Sequence, residues 1–185
     1  LDTLDENIVC EDALFTEWPK ADAIVGNPPF LGGHRMRQEL GDEYVEQVFK
    51  KFPNLQNQQI DFASHWFHTA HRHLKSQGRA GLVATNSISQ GKSRAASLER
   101  ITNEGGYLHE AISTQSWSGD AVVHVSIVNW CYEEPDQYFL DNQTVQRINS
   151  SLQTTIDVSS AAQIKANLNY AFRGVEPNGQ GFLIT

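Results

Sequence analysis

Two short apolar runs constrain this chain's fold most: Ala23-Ile24-Val25, and the stretch from Ala80 to Thr85, each bounded by turn or polar residues. Runs without a polar alternate suit strands buried on both faces, as in parallel sheets. Between them lie two segments of helical period. From Asp42 to Phe52 apolar residues recur at Tyr44, Val45, Val48, Phe49 and Phe52, the pattern of a half-buried helix. From Ile60 to Lys75 the residues Phe62, Ala63, Trp66, Phe67, Ala70 and Leu74 share one face, and Gln77-Gly78 reads as the stop. Lys92 to Thr102 again has helical composition and length. Strand and helix therefore alternate, which predicts an α/β fold with a mostly parallel sheet. Asn7 to Ala13 reads as a further short strand. Tyr107 to Ile112 and Ala121 to Tyr132 read as two more, and the short connection between them, Ser113 to Asp120, predicts an antiparallel strand near the C-terminal end. Beyond Glu133-Glu134-Pro135-Asp136 the periodicity fades, and Ser150 to Ala162 is rich in Ser and Thr, as in a linker or loosely packed arm.

At 185 residues the chain is long enough for one sizeable core. Cys10 and Cys131 lie far apart without metal-ligand or redox spacing, so two buried thiols in a reducing compartment are expected. No window approaches the ~18 consecutive apolar residues of a membrane span, and Leu1 to Asn7 is acidic where a secretory signal would be basic. A soluble, cytoplasmic protein with no membrane partner is expected. The first residue is not Met, which reads as a piece of a longer polypeptide.

Asn27-Pro28-Pro29-Phe30 follows the first apolar run directly. In a doubly wound sheet the carboxyl ends of the strands form the ligand crevice. Each proline fixes its own φ and biases the preceding residue to extended geometry, so the bend is stiff and its carbonyls point in set directions. Such acceptors suit an aromatic amine, whose lone pair is delocalised into its ring. The Asn27 amide oxygen and the Pro28 carbonyl, each accepting one amine hydrogen, would expose that lone pair without a strong general base. Phe30 offers a face against which a base extruded from a duplex can stack. A Pro-Pro turn that merely ends a strand is common. The full tetrapeptide arises by chance in a chain of this length on the order of once in a thousand.

On these residues the chain resembles the DNA amino-methyltransferases, whose fourth signature motif reads Asn/Asp/Ser-Pro-Pro-Tyr/Phe. Two longer strings, from Gly26 to Gly33 (Gly-Asn-Pro-Pro-Phe-Leu-Gly-Gly) and from Gly81 to Ile88 (Gly-Leu-Val-Ala-Thr-Asn-Ser-Ile), are similar to the MmeI-type (type IIG/IIL) restriction-modification polypeptides. The resemblance implies a partial Rossmann-like methyltransferase that moves a methyl group from S-adenosylmethionine to the exocyclic amine of adenine in double-stranded DNA. Asn rather than Ser at position 27 favours adenine over cytosine. The catalytic residues it implies are Asn27, Pro28, Pro29 and Phe30. Val9 to Leu14 looks like the third motif, which makes Asp12 and its neighbour Ala13 cofactor candidates, unless Asp12 is only an exposed strand-end acid. Ile60-Asp61-Phe62 with Trp66-Phe67 falls at the fifth motif and Trp117 to Asn129 at the eighth. Trp117 would then join Phe30 in stacking the target base, although a large aromatic is more often simply core. The division implied is 1–140 as the C-terminal part of the catalytic domain and 141–185 as a linker or arm toward a target-recognition domain, with Asn169 to Leu183 resembling the entry to it.

Departures from the pattern set further expectations. No Gly-x-Gly loop lies between a strand and a helix, and Gly179-Gln180-Gly181 has the wrong context. The cofactor loop, target-recognition and nuclease domains are expected elsewhere in a longer polypeptide. Alone, the chain is expected to bind S-adenosylmethionine weakly or not at all and to methylate nothing, and its sheet would keep an unprotected edge prone to self-association.

Other chemistries leave weaker traces. His65, His68, His71 and His73 crowd nine residues, but their helical placement favours a solvated helix face over a metal site. Ser87 and Ser89 lack a paired motif for nucleophilic catalysis. Net charge is −8, yet residues 33–100 hold ten basic residues (Arg35, Arg37, Lys50, Lys51, Arg72, Lys75, Arg79, Lys92, Arg94, Arg100) against six acids. That segment fits a DNA-facing surface and an ordinary solvated one equally. The rival readings are methylation of protein glutamine or RNA guanine, where similar turns occur, and a non-catalytic DNA-binding module.

Overall fold

The computed structural model describes residues 8–57, 59–117 and 123–155. The apolar run at Ala23 forms strand β1 (Ala21–Gly26). Helix α1 (Met36–Leu40) and helix α2 (Asp42–Lys51) follow, parted by Gly41 at φ 82°. Asp42 and Glu43 in the first turn of α2 and Lys50 and Lys51 in its last complement the helix dipole. Helix α3 (Ser64–His73) leads into the long strand β2 (Leu74–Thr85). Helices α4 (Gly91–Ala96) and α5 (Leu98–Asn103) precede strands β3 (Tyr107–Ser116), β4 (His124–Cys131), β5 (Tyr138–Leu140) and β6 (Gln143–Val145).

The strands form one mixed sheet in the order β1-β2-β4-β3-β5-β6. β1, β2, β3 and β5 run one way; β4 and β6 run the other. The expected α/β architecture, mostly parallel in strand direction with an antiparallel strand late in the chain, is the one found. One face of the sheet packs under α3 and α5 around Ile24, Leu82, Val128 and Trp130. Phe67 stacks on Trp130 at 5.4 Å between ring centroids, and each apolar side chain so buried stabilises by roughly 1.5–3 kcal/mol. A second cluster joins α1 and α2 through Met36, Val45, Val48, Phe52 and Phe62. The opposite face, at Ala23, Val25, Gly81, Val83, Ile127 and Asn129, is exposed or half-exposed, with Val25 88% exposed, so β1 and β2 are not buried on both faces as their apolar runs predict: among the described residues no helix covers this side.

Several expectations need correcting. Residues 8–13 form no strand, and Ile8 and Val9 are exposed because no neighbouring strand pairs with them among the described residues. The third helix ends at His73, not at Gln77-Gly78, because Leu74 turns to extended geometry and opens β2. Gly78 is instead a strand residue, where the β1–β2 register shifts between Ala21 and Ala23. A Cβ there would meet Leu74 Cδ1 at 2.7 Å and the Asp22 carbonyl oxygen at 2.9 Å. Gly78→Ala is therefore expected to cost about 1–3 kcal/mol, read as a lower urea midpoint at unchanged m-value. An unchanged midpoint would show that this close approach is not required.

The helix expected over Lys92 to Thr102 is broken at Ser97, whose hydroxyl donates to the Ser93 carbonyl at 2.6 Å. Beyond Asp136, where periodicity fades, β5 and β6 pair through Asp141 and Asn142, both at positive φ. His65, His68 and His71 are 0, 8 and 2% exposed, so they line the interior and not a solvated helix face. Cys131 is buried, but Cys10 is exposed on the unpaired segment. Asn7, Ser118 to Asp120, Ala121, and the stretch Asn169 to Leu183 lie outside the described residues.

Candidate active site

The diproline bend leaves the carboxyl end of β1, beside β2, with Gly26 in register with Leu82. Asn27 and Pro29 are exposed and Pro28 is buried. Neither the Asn27 amide nor the Pro28 carbonyl is engaged in a hydrogen bond among the described residues. Two acceptors are therefore available at a strand's carboxyl end, the rim on which α/β sheets bind ligands. Downstream, the Leu31 carbonyl accepts the Phe62 N–H at 2.9 Å, and Met36, 1% exposed, anchors the segment in the second cluster.

Phe30 meets Trp117 edge to face, with centroids 5.6 Å apart at 81°. Trp117 sits at the mouth of the β3–β4 hairpin, where its backbone N–H donates to the Val123 carbonyl at 2.9 Å. Both rings are half-buried, so neither belongs to the interior clusters. The carboxyl ends of β1 and β3 thus bring Asn27, Phe30 and Trp117 to one rim.

Asp61, which the sequence marked only as part of a motif region, also lies here. Its Oδ2 accepts from the Ser87 hydroxyl and, at 3.2 Å, from Thr85 Oγ1. Its backbone N–H donates to Ser93 Oγ at 2.9 Å.

Asp12 and Ala13 occupy a turn next to α2. Asp12 Oδ1 accepts the Leu14 N–H at 2.9 Å and Oδ2 accepts the Tyr44 hydroxyl at 2.7 Å. The Ala13 carbonyl accepts from Trp18 Nε1 at 2.7 Å. Burial, then the Asp12 carboxylate, push the Tyr44 phenol up. Tyr44 in turn packs edge-on against Phe62, with centroids 6.3 Å apart. Each carboxylate oxygen keeps a lone pair for a ligand while its existing bonds fix its direction.

The basic segment is less free than its composition implies. Arg35, Arg37, Lys75, Arg94 and Arg100 each have a carboxylate within 4.0 Å. Lys50, Lys51, Arg72, Arg79 and Lys92 have none among the described residues. Among the described residues, no group of three or more His, Cys, Asp or Glu is placed to hold a metal ion, and no helix is long and apolar enough to cross a membrane.

A family model described as the MmeI DNA-methyltransferase domain matches residues 3–141. The protein called DNA methyltransferase A, from Bacillus subtilis (strain 168), is 22% identical over 131 residues, spanning 66% of this chain and 15% of that protein. The solved structure of the type IIL restriction-modification enzyme MmeI in complex with DNA superposes with a TM-score of 0.62 at 25% identity, covering 74% of this chain and 20% of that one. The chain spans about a fifth or less of the length of these relatives.

Proposed function

The chain belongs to the MmeI DNA-methyltransferase domain family, and from that premise we propose that it carries the methyl-acceptor half of a DNA adenine methyltransferase within a restriction-modification polypeptide. The observation that supports this best is the pair of open acceptors, Asn27 Oδ1 and the Pro28 carbonyl, on the carboxyl rim of β1 beside the Phe30–Trp117 pair. An adenine extruded from the duplex would lodge its ring at these aromatics. Its two amine hydrogens would be accepted by Asn27 and Pro28, which draws the nitrogen toward a tetrahedral shape and favours the positive charge that develops there. S-adenosylmethionine, when bound, supplies an electrophilic methyl group on a sulfonium. Asp12 and Ala13 fit a role in holding it, because the Asp12 carboxylate is oriented by Leu14 and Tyr44 and still has acceptor capacity. The nitrogen's surplus proton leaves to water, so no buried base is needed.

The proposal extends to organisation. Residues 1–140 would be the C-terminal part of the catalytic domain, and 141–185 would lead toward a target-recognition domain, with Ile148 and Leu152 packed into the main core on the way. The cofactor loop and any nuclease domain would come from the rest of a longer polypeptide acting on duplex DNA in the cytoplasm. Without a Gly-x-Gly loop between strand and helix, the chain alone would hold S-adenosylmethionine weakly or not at all and transfer no methyl group.

A substrate panel tests the function. The intact polypeptide with labelled S-adenosylmethionine is expected to mark adenine in duplex DNA. Label on protein glutamine, RNA guanine or cytosine in its place would overturn the proposal. DNA binding with no transfer to any of them would establish the non-catalytic module, a role to which the ion pairing of half the basic segment lends little support.

A further inference from the structure

Building on the amine-methylation role proposed above, we infer that Asp61 is a positioning residue that locks the acceptor turn against the carboxyl end of β2. Asp61 joins three segments that are distant in sequence. Its Oδ2 accepts from both Ser87 and Thr85, whose own hydroxyl oxygens lie 2.6 Å apart. Its backbone N–H donates to Ser93 Oγ in α4, and the next residue's N–H donates to the Leu31 carbonyl, one residue past Phe30. Its other oxygen, Oδ1, faces Gly32, 3.9 Å from where a Cβ of that residue would stand.

Packing alone would be served by an apolar side chain at this half-buried position. A carboxylate with two hydroxyl donors adds something packing lacks, because hydrogen bonds to a charged acceptor are shorter and stronger than neutral ones. They set the spacing between two loops that emerge from neighbouring strands: the acceptor turn after β1 and the Asn86–Ser89 turn after β2. Spacing is what the reaction needs, since a displacement of about 1 Å at reacting groups costs on the order of 100-fold in rate. Removing the carboxylate leaves the Phe62 to Leu31 backbone bond in place, so the turn stays attached while its acceptors spread over a wider range of positions.

The test uses the intact polypeptide with duplex DNA and S-adenosylmethionine, comparing Asp61→Ala, Asp61→Asn and Ser87→Ala with wild type. Asp61→Ala is expected to lower kcat about 10- to 100-fold with both KM values within about threefold, and Ser87→Ala to lower kcat about 3- to 10-fold. Asp61→Asn, which keeps an acceptor oxygen, should recover to within about fivefold of wild type. A purely structural role predicts a different result: lower melting midpoints in all three variants, with kcat restored at a temperature where each is folded, and that result overturns the inference. Full kcat in Ser87→Ala and Asp61→Asn overturns it too if Asp61→Ala is either fully active or unfolded. A wild-type protein that transfers a methyl group to no amine overturns the proposed function and this inference together, whereas an active wild type with unaffected variants overturns the inference alone.

Discussion

Replacing Asn27 with alanine in the intact polypeptide is expected to lower kcat for methyl transfer by at least about 100- to 1000-fold, while affinity for duplex DNA stays within about threefold. The asymmetry follows from where the residue sits. Asn27 is exposed and its amide is engaged with nothing among the described residues, so its loss is expected to cost no more than about 0.5 kcal/mol of stability. The second acceptor, the Pro28 carbonyl, belongs to the backbone and survives the substitution, which leaves a residual rate. Asn27→Asp keeps an acceptor oxygen and should retain more activity than alanine. Rates from labelled methyl incorporation, set beside duplex binding by anisotropy, decide the matter. An equal fall in both quantities would assign Asn27 to DNA docking or folding and remove it from the chemistry.

Acidification from pH 6.5 to 4 is expected to remove several kcal/mol of folding stability, most of it through two histidines. His65 and His68 are buried at 0 and 8% exposure. Burial pushes both imidazoles down to about 4, and for His68 the nearby Arg100 and Arg72 add to it. His65 Nδ1 faces the Phe62 carbonyl at 2.9 Å, while its Nε2 has no partner among the described residues and the rings of Phe52 and Phe62 crowd the imidazole at 5.2 and 5.8 Å.

The sign is fixed by which state takes the proton. Between pH 6.5 and 4 the unfolded chain binds a proton at each site that the folded chain refuses, so stability rises with pH across that window. It is fully present above the unfolded value near 6.5 and is lost as pH falls through about 4. A tenfold difference in proton affinity between the two states is worth about 1.4 kcal/mol, so each histidine accounts for roughly 3 kcal/mol, large against the 5–15 kcal/mol of a typical domain. His71, pushed down by burial but opposed by Glu104 at 3.7 Å, adds a smaller contribution in the same direction. Urea midpoints measured between pH 6.5 and 4.5, before most carboxylates titrate, should fall steadily, and His65→Gln should flatten the slope. Midpoints independent of pH over that range would show that these imidazoles are not held neutral.

The legible parts of this fold were those whose cause is local. Ala23-Ile24-Val25 followed by two prolines can be little other than a strand ending in a stiff bend, and the structure has that strand at Ala21–Gly26, although of the three apolar residues only Ile24 is buried. The helix at Asp42 was legible from its apolar spacing, with which the order of charges along it agrees. What escaped depended on remote neighbours. Gln77-Gly78 looked like a helix stop because the backbone of Asp22, which Gly78 must approach, lies 56 residues away. Histidines 65, 68 and 71 looked solvated until Phe52, Tyr132 and Glu104 closed over them. Asp141-Asn142 was a readable turn signal, two residues that tolerate positive φ between short strands, but strands of three residues leave no periodicity to flag them. At the candidate site the tetrapeptide was legible and Asp61 was not, since the hydroxyls that give Asp61 its meaning are 24 to 32 residues away.

The acceptor bend hangs from β1, and among the described residues β1 is laddered to a neighbour on one flank only, through β2. The bend is stiffened by its own prolines, but among the described residues the strand that carries it is held by a single row of peptide hydrogen bonds. A strand laddered along the other flank would add a second row of such bonds and brace the strand from which Asn27 projects.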